Sequence, residues 1–507
     1  METNISIKNQ PNASELWAGI GGHFDSLGQI INEFIDNSVS NFAGNSLDVR
    51  NIIITLEELA DRKGIKVSVE DSGTGIKRID EAFTLGNLKA GESPLNEHGF
   101  GLKHALASAN PGNDSWVIYT RTKENLDKGE FLKISAPYKI EEFSGKVCNN
   151  EQWPGKMNGT GTLVEFHCSR EMYFTIARGI KGGVTVFKTA ADIFCEDIGF
   201  IYAGIILNGA ASITLNVIDC DGNSLTRPVG AVTPDWDDFI APGSGSETVN
   251  LGGGDVKIEY KFGRINPKDS RTEFDNTTAR KYYLRNMSSS GVEIRINGRV
   301  ICYNLLKEIW GVEKHNSYNY LLVTLNIIST NKDSLPQTRT SKNGLREGDE
   351  KLESLYRWVR SNMSMPVKDV SLADHETDLF EELKERMNQY NPDPNKVIET
   401  EKYVFSTTGD KHDKVRVDLY EKTSYGVTIY EGKKDITTSK DVYQLRMYWD
   451  GLVYDGIKPT KGILVAREHP GTVINLIQVV NTMKDTNDNN YQLEAKTWED
   501  LGISITK

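Results

Sequence analysis

The sequence predicts a multidomain α/β protein, and three observations carry that prediction. At 507 residues the chain is too long for one hydrophobic core, which stops growing at roughly 250–300 residues. Runs with helical spacing of apolar residues alternate with β-branched runs of period two. The pattern changes character twice, so domains are expected over 1–175, 176–368 and 369–507.

Bulk properties narrow the functional classes. No segment approaches the ~20 continuous apolar residues of a membrane span, and the opening METNISIKNQ lacks the basic and apolar regions of a signal peptide. A cytoplasmic protein is therefore expected. The five cysteines (Cys148, Cys168, Cys195, Cys220, Cys302) are scattered without C-x-x-C pairing, which predicts reduced, structural thiols rather than metal ligands. A net charge of −12 argues against wholesale coating of nucleic acid, because non-specific affinity comes from basic side chains neutralising phosphates. A local basic groove stays open.

Taken in order, residues 14–44 carry helical periodicity, with Leu27, Ile30, Ile31, Phe34 and Ile35 at spacings of three and four. Strands at 51–55 and 65–70 bracket the charged stretch EELADRKG. A glycine-rich stretch over 86–101 leads into the helix LKHALASA, and strand-like runs follow at 116–120, 131–135 and 161–166. This is an α/β sandwich pattern reaching about residue 170. From about 180 to 365 longer alternating strands appear (ITLNVID, VKIEYKFGRI, GVEIRING, YLLVTLNII), closed by a polar loop and the helix EGDEKLESLYRWVRSNM, which predicts a separate mixed α/β domain. After the polar stretch MPVKDVSLADHETD come the helix TDLFEELKERMNQY, the turn NPDPNK, three strand-like runs, a helix, and the strand KGILVARE.

Four short stretches carry candidate nucleotide chemistry. VSVEDSGTGI ends a half-buried strand in Glu70 and Asp71, then gives up side chains at Gly73 and Gly75; alone this is more often a surface turn. In INEFIDNSVSN, Glu33 and Asn37 share one helix face at i and i+4, so Glu33 suits a general base and Asn37 an oxygen ligand for Mg²⁺. Alone, such a pair is usually a solvated face. EHGFGLKHA sets Gly99 and Gly101 before Lys103 at a helix mouth, where backbone N–H groups and the ammonium suit phosphate oxygens. In NGTGTLVEF, the Thr162 hydroxyl opens a strand and can back up Asp71. Each part is weak, and four in order are not.

This ordered set resembles the GHKL ATPases, the group containing gyrase B, the heat-shock chaperone ATPases, histidine kinases and MutL, and hence a Bergerat-type α/β sandwich. The resemblance implies ATP as ligand, Asn37 on Mg²⁺, Glu33 activating water, Asp71 receiving the adenine amino group, Gly73 and Gly75 clearing space for the ring, Gly99, Gly101 and Lys103 on the phosphates, and Thr162 near the base. Within that group, FTLGNLKAGESPLNEHGFGLKHA looks like the lid and phosphate loop of MORC-type ATPases, and VEIRINGRVICYNL resembles a strand pair of their S5-like transducer domain. LPQTRTSKNG resembles the transducer loop that sends a lysine to the γ-phosphate; Lys342 is the candidate, with Arg339 as substitute. One departure is Ser40, which stands where an acid is common. The family further implies homodimerisation on ATP binding.

A second constellation lies in VRVDLYEKTSYGVTIYEGKKDITTSKDVYQLRMYWDGL. If the strands form a hairpin, period two puts Glu431 and Lys433 on one face beside Asp418. Two carboxylates can bind Mg²⁺ or Mn²⁺ and present a phosphodiester while a lysine orients water; the plain alternative is an exposed charged hairpin. Gln444 and Tyr448 at i and i+4 match the Q-x-x-x-Y of RecB-like nucleases, and the region 370–507 resembles the PD-(D/E)xK, restriction-endonuclease-like core. That resemblance implies Asp418 and Glu431 as metal ligands, Lys433 as the catalytic lysine, and Gln444 and Tyr448 as supports or DNA contacts. Glu376, Glu381 and Glu382 offer a third acid, with Glu381 the guess, and Lys434 could touch a phosphate.

The combined expectation is a dimerising ATPase that controls a metal-dependent DNA endonuclease, with defence against foreign DNA as the biological setting and room for a protein partner. The rivals are an ATP-gated DNA clamp that does not cut and a chaperone-like remodelling ATPase.

Overall fold

The computed structural model describes residues 13–84, 101–139, 145–237, 242–273, 275–339, 341–363, 366, 376–390, 393, 395–405 and 415–503. The chain forms two compact units, Met1–Pro366 and Val367–Lys507. Both are α/β. No helix among the described residues is long and apolar enough to cross a membrane, and all five cysteines are free.

The first unit is built on an eight-stranded sheet in the order Lys146–Asn149, Glu130–Ser135, Trp116–Arg121, Gly161–Ser169, Gly64–Asp71, Asn51–Glu58, Ser212–Ile218, Ser224–Pro228. Period two works as expected in the strand Gly64–Asp71: Ile65, Val67 and Val69 are buried, while Lys66 on the other face pairs with Glu165 at 2.8 Å. The helices Leu27–Ala43, Gly101–Ala109 and Phe187–Ile201 bury their apolar stripes, including Ile30, Ile31, Phe34, Leu106 and Phe194, in one core with these strands.

One element departs from expectation. The strand within ITLNVID pairs in parallel with Asn51–Glu58, Ile52 against Ile213 and Ile54 against Leu215, so the first sheet runs on to Pro228 and does not stop near residue 170. A parallel partner requires a long crossover, here carrying the helix Phe187–Ile201. Alternation tells which residues are buried, but not which sheet receives them.

A second sheet follows in the order Gly243–Asn250, Asp255–Asn266, Leu321–Ile328, Gly291–Ile296, Arg299–Leu305. The helix Glu350–Asn362 covers it with Leu352, Leu355 and Val359. The turn joining the last two strands uses Asn297 (φ +50°) and Gly298 (φ +87°), the Asn-Gly pair suited to a two-residue hairpin. A Cβ on Gly204 would lie 2.6 Å from the Gly298 carbonyl oxygen, so two glycines let this hairpin tip press against the helix Ala203–Leu207.

In the second unit a five-stranded sheet runs Val397–Tyr403, Arg416–Thr423, Gly426–Gly432, Lys461–Ala466, Leu493–Thr497. Within Lys461–Ala466, Leu464 faces the helices Ser439–Tyr454 and Gly471–Asn481, whereas Ile463 and Val465 face the helix Glu376–Tyr390. A strand buried on both faces is the mark of a three-layer α/β arrangement.

Candidate functional site

In the first unit the helix Leu27–Ala43 starts at Ser26, whose Oγ accepts the Gln29 N–H, and it carries two carboxylates inward. Glu33 is 3% exposed and Asp36 1%. Lys342 reaches both from the second sheet's side: its Nζ lies 2.9 Å from Glu33 Oε2 and 3.5 Å from Asp36 Oδ2. Arg299 Nε donates to Asp36 Oδ1 at 2.6 Å, and the Tyr202 hydroxyl lies 2.9 Å from the same oxygen. Two carboxylates thus face two cations away from water, an arrangement that holds only when every member is paired. Burial pushes Glu33 above the usual carboxylate range, with Lys342 opposing and Asp36 reinforcing the shift. Burial works to lower the Lys342 ammonium, yet Glu33 and Asp36 hold it above its ordinary value.

The loop bearing Lys342 explains the reach. Thr338 and Leu345 bridge, the Arg339 N–H donates to the Gly344 carbonyl at 2.9 Å, and the Lys342 N–H to the Arg339 carbonyl at 2.8 Å. At this tip Lys342 takes a left-handed φ of +50°. Arg339 stays exposed and pairs with Glu347 at 3.3 Å, so the substitute considered from the sequence does not reach Glu33.

Asn37 sits half-buried one turn after Glu33, and no described residue hydrogen-bonds its carboxamide, so its oxygen fits a hydrated Mg²⁺. Gly101 opens the helix Gly101–Ala109, and a Cβ there would overlap the Glu33 carboxylate; the helix mouth therefore lies directly on Glu33. Gly99 falls outside the described residues. Lys103 is buried, its Nζ donating to the carbonyls of Ala82 and Thr84, both at 2.9 Å, and burial lowers it to about 8. Its charge serves the end of the helix Ile79–Phe83, a use the glycine-lysine spacing does not reveal.

Asp71 is half-buried. It accepts the Gly73 N–H at 2.8 Å and the Ser38 hydroxyl at 3.0 Å. Burial raises it to about 6 against the pull of those bonds. The glycines have local causes. A Cβ on Gly73 would stand 2.5 Å from Asn41 Oδ1 and 2.7 Å from Asp71 Oδ1; Gly75 has φ +71° and would press on the Arg121 carbonyl at 2.6 Å. The chain's own atoms leave no room for a Cβ at either position. Thr162 lies directly across from Asp71 on the neighbouring strand, its Oγ1 3.3 Å from Thr120 Oγ1.

The second unit assembles the other constellation. Antiparallel register pairs Leu419 with Tyr430, which brings Asp418 beside Glu431. Asp418 Oδ2 accepts the Gly432 N–H at 3.0 Å, and Lys433 Nζ lies 2.8 Å from Glu431 Oε1. Glu431 is fully buried. Burial, then the Asp418 charge and an acid-to-acid hydrogen bond, push it up to about 9, with Lys433 opposing. Its Oε2 finds no donor among the described residues other than that neighbouring acid, so the pair calls for a shared proton or a cation. Gln444 Nε2 donates to the Tyr448 hydroxyl at 2.6 Å; Tyr448 is buried and pushed up to about 12 by burial, with Glu431 and Asp418 adding. Lys434 is half-buried.

Glu381, the third acid suggested by the sequence, is held by neighbours on its own side of the sheet. Glu381 accepts the Thr400 hydroxyl at 2.5 Å and pairs with Lys384 at 3.1 Å, because its helix face turns toward the strand Val397–Tyr403. Glu382 is exposed, and the Glu376 side chain lies outside the described residues. No group of three or more metal-binding side chains occurs among the described residues. Two carboxylates still suit Mg²⁺, which commonly keeps several waters and takes phosphate oxygens.

Sequence reasoning missed Arg299, Tyr202 and Ser38, and gave Asp36 no role. No local pattern marks Arg299, which meets Asp36 across 263 positions.

No family model matches the chain, and no curated protein does. Among solved structures, the N-terminal domain of a DNA repair protein is similar at 15% identity over 69% of this chain and 96% of its own, with a TM-score of 0.41. The B subunit of DNA gyrase from Myxococcus xanthus is similar at 10% identity over 68% and 91%, with a TM-score of 0.36. Both scores are too low to argue from, so function has to be read from the side chains.

Proposed function

We propose that the first unit binds and hydrolyses ATP as a GHKL, MORC-like ATPase, and that the second is a Mg²⁺- or Mn²⁺-dependent DNA endonuclease under its control. One observation carries the first half: Lys342 arrives beside Glu33 from 309 positions away, giving a buried base and a mobile-length cation at one helix mouth. In this reading Asp71 accepts the adenine amino group, Gly101 leaves backbone N–H groups near the phosphates, and Glu33 takes a proton from the attacking water. Asn37 would hold the Mg²⁺, which neutralises phosphate charge. The γ-phosphate competes with Glu33 for Lys342, so it binds the closed arrangement better than ADP does. That differential is the means of switching and of dimerising.

In the second unit Lys433 orients water beside Glu431, and Tyr448 with Gln444 supports the acids. Asp418 and Glu431 would hold the metal ion, which acts as Lewis acid on the phosphodiester. Control of cutting by nucleotide, and defence against foreign DNA, are read from the presence of both chemistries in one chain.

A second reading is an ATP-gated DNA clamp that does not cut, favoured by the pairing of just two carboxylates at the second site among the described residues. Supercoiled plasmid incubated with Mg²⁺ or Mn²⁺, with ATP, ADP or a non-hydrolysable analogue, separates the two. Nicking or linearisation absent from Lys433→Ala supports the nuclease; DNA retention without cutting supports the clamp.

A further inference from the structure

Arg299 makes contacts that none of the roles above uses. It is 3% exposed and follows the Asn297-Gly298 turn whose tip is pressed onto Gly204. Its guanidinium spans two partners. Nε donates to Asp36 Oδ1 at 2.6 Å, and Nη1 donates to the backbone carbonyl of Lys342 at 2.9 Å. The face of Tyr202 lies 5.7 Å from its Cζ, and the Tyr202 hydroxyl shares Asp36 Oδ1. Asp36 in turn is on the same helix as Glu33, three residues on. The hairpin, the lysine loop and the helix of the base thus meet at one guanidinium.

We infer that Arg299, anchored on Asp36, is the positioning residue that sets Lys342 over the Glu33 site. The inference rests on the ATPase reading and adds a residue to it. The physical reason is the loop tip. Lys342 holds a left-handed φ, a conformation a non-glycine residue keeps only when its surroundings enforce it. A flexible four-carbon side chain lands on one point only if its backbone is fixed. The Lys342 carbonyl is fixed by Arg299, and Arg299 is fixed by Asp36 and Tyr202. A planar fork grips the two acceptors from separate nitrogens held in fixed geometry, whereas an ammonium must serve both from one point on a flexible stem.

The test uses the full chain, with ADP affinity measured by calorimetry and ATP turnover measured separately. Arg299→Lys keeps the charge and loses the fork. It is expected to lower kcat by ~10-fold or more while leaving the ADP Kd within ~3-fold, as befits a misplaced catalytic group. In the Lys342→Met background the same substitution is expected to cost nothing further, because its effect passes through Lys342. Independent losses that multiply, or an unchanged kcat in Arg299→Lys, overturn the inference. If Arg299→Lys loses its cooperative unfolding transition, Tyr202→Phe decides by the same comparison, since it keeps the ring and removes only the hydroxyl that reaches Asp36 Oδ1 and the Asn32 carbonyl. A kcat loss present alone and absent with Lys342→Met supports the inference, and no loss or a multiplying loss overturns it. A wild-type chain that neither binds ADP nor turns over ATP removes the ATPase reading itself, and the positioning role with it.

Discussion

Lys342 Nζ and Glu33 Oε2 meet at 2.9 Å with both side chains at most 5% exposed. The ammonium occupies the base in this arrangement, and a triphosphate is the natural competitor for it. Glu33→Ala is expected to keep ATP binding and abolish hydrolysis; normal turnover in that variant would refute the assignment. Lys342→Met is expected to lower kcat by ~100-fold or more, in the range of a lost charge stabiliser, with ADP binding little changed. Single-turnover kinetics alongside calorimetry separates the two effects.

Asp71 provides a pH dependence. Its carboxyl is raised to about 6 by burial, above the ~3.9 of an unfolded aspartate. Between those values the folded chain holds a proton that the unfolded chain has released, so this group's contribution to stability falls as pH rises through that window. For ligand binding the sign is opposite, since the anion is the better acceptor for an adenine amino group. ATP affinity is expected to weaken as pH drops from 7 to 5. Asp71→Asn should bind more weakly and without this step, which also serves as control for titration of the phosphates. Calorimetry across pH checks it; an identical profile in the variant would exclude Asp71 from the base pocket.

How far the sequence could be read depends on whether a signal was local. The helix Leu27–Ala43 and the strand Gly64–Asp71 announce themselves because five apolar residues at helical spacing and three at period two leave little choice. Asp418 and Glu431 meet as the hairpin pattern implied, since register follows from a short turn. ITLNVID could not be assigned to the first sheet, because its partner strand lies some 160 positions upstream and parallel pairing has no turn to mark it. Arg299 and Tyr202 were invisible for the same reason. The Thr400 and Lys384 partners of Glu381 were hidden for a different reason: an acid on a helix shows its spacing but not the direction its face takes once packed. The helix Gly471–Asn481 and the strand Leu493–Thr497 went unlisted, hidden in a short apolar run and a mixed-charge one.

Asp36 should be a stability hot spot even though it touches no substrate in the proposed reaction. Asp36→Ala leaves Arg299 buried without its carboxylate and the Tyr202 hydroxyl with the Asn32 carbonyl in place of its two acceptors. Losing one partner of a buried pair costs about 3–5 kcal/mol. Denaturant unfolding followed by signals from the first unit is expected to show that loss, while Asp36→Asn, which keeps an acceptor, should lose less. A midpoint unchanged in Asp36→Ala would mean that water already reaches the network.

At the second site burial and the Asp418 charge push the Glu431 carboxyl up against the pull of Lys433, which favours the protonated acid. Glu431→Gln replaces one neutral group by another of the same shape and is expected to leave the thermal midpoint of the second unit nearly unchanged. The same substitution removes a proposed metal ligand, so plasmid cleavage should vanish. Lys433→Ala is likewise expected to stop cleavage, and ATP turnover should stay within ~2-fold of wild type in both variants if the two chemistries are separate. Chelation by EDTA should reproduce the loss in the wild-type chain, with recovery on adding Mg²⁺ or Mn²⁺. A Glu431→Gln variant that still cuts DNA would place the metal elsewhere, and one that unfolds would show that the acid is ionised and paired with Lys433 rather than protonated against Asp418.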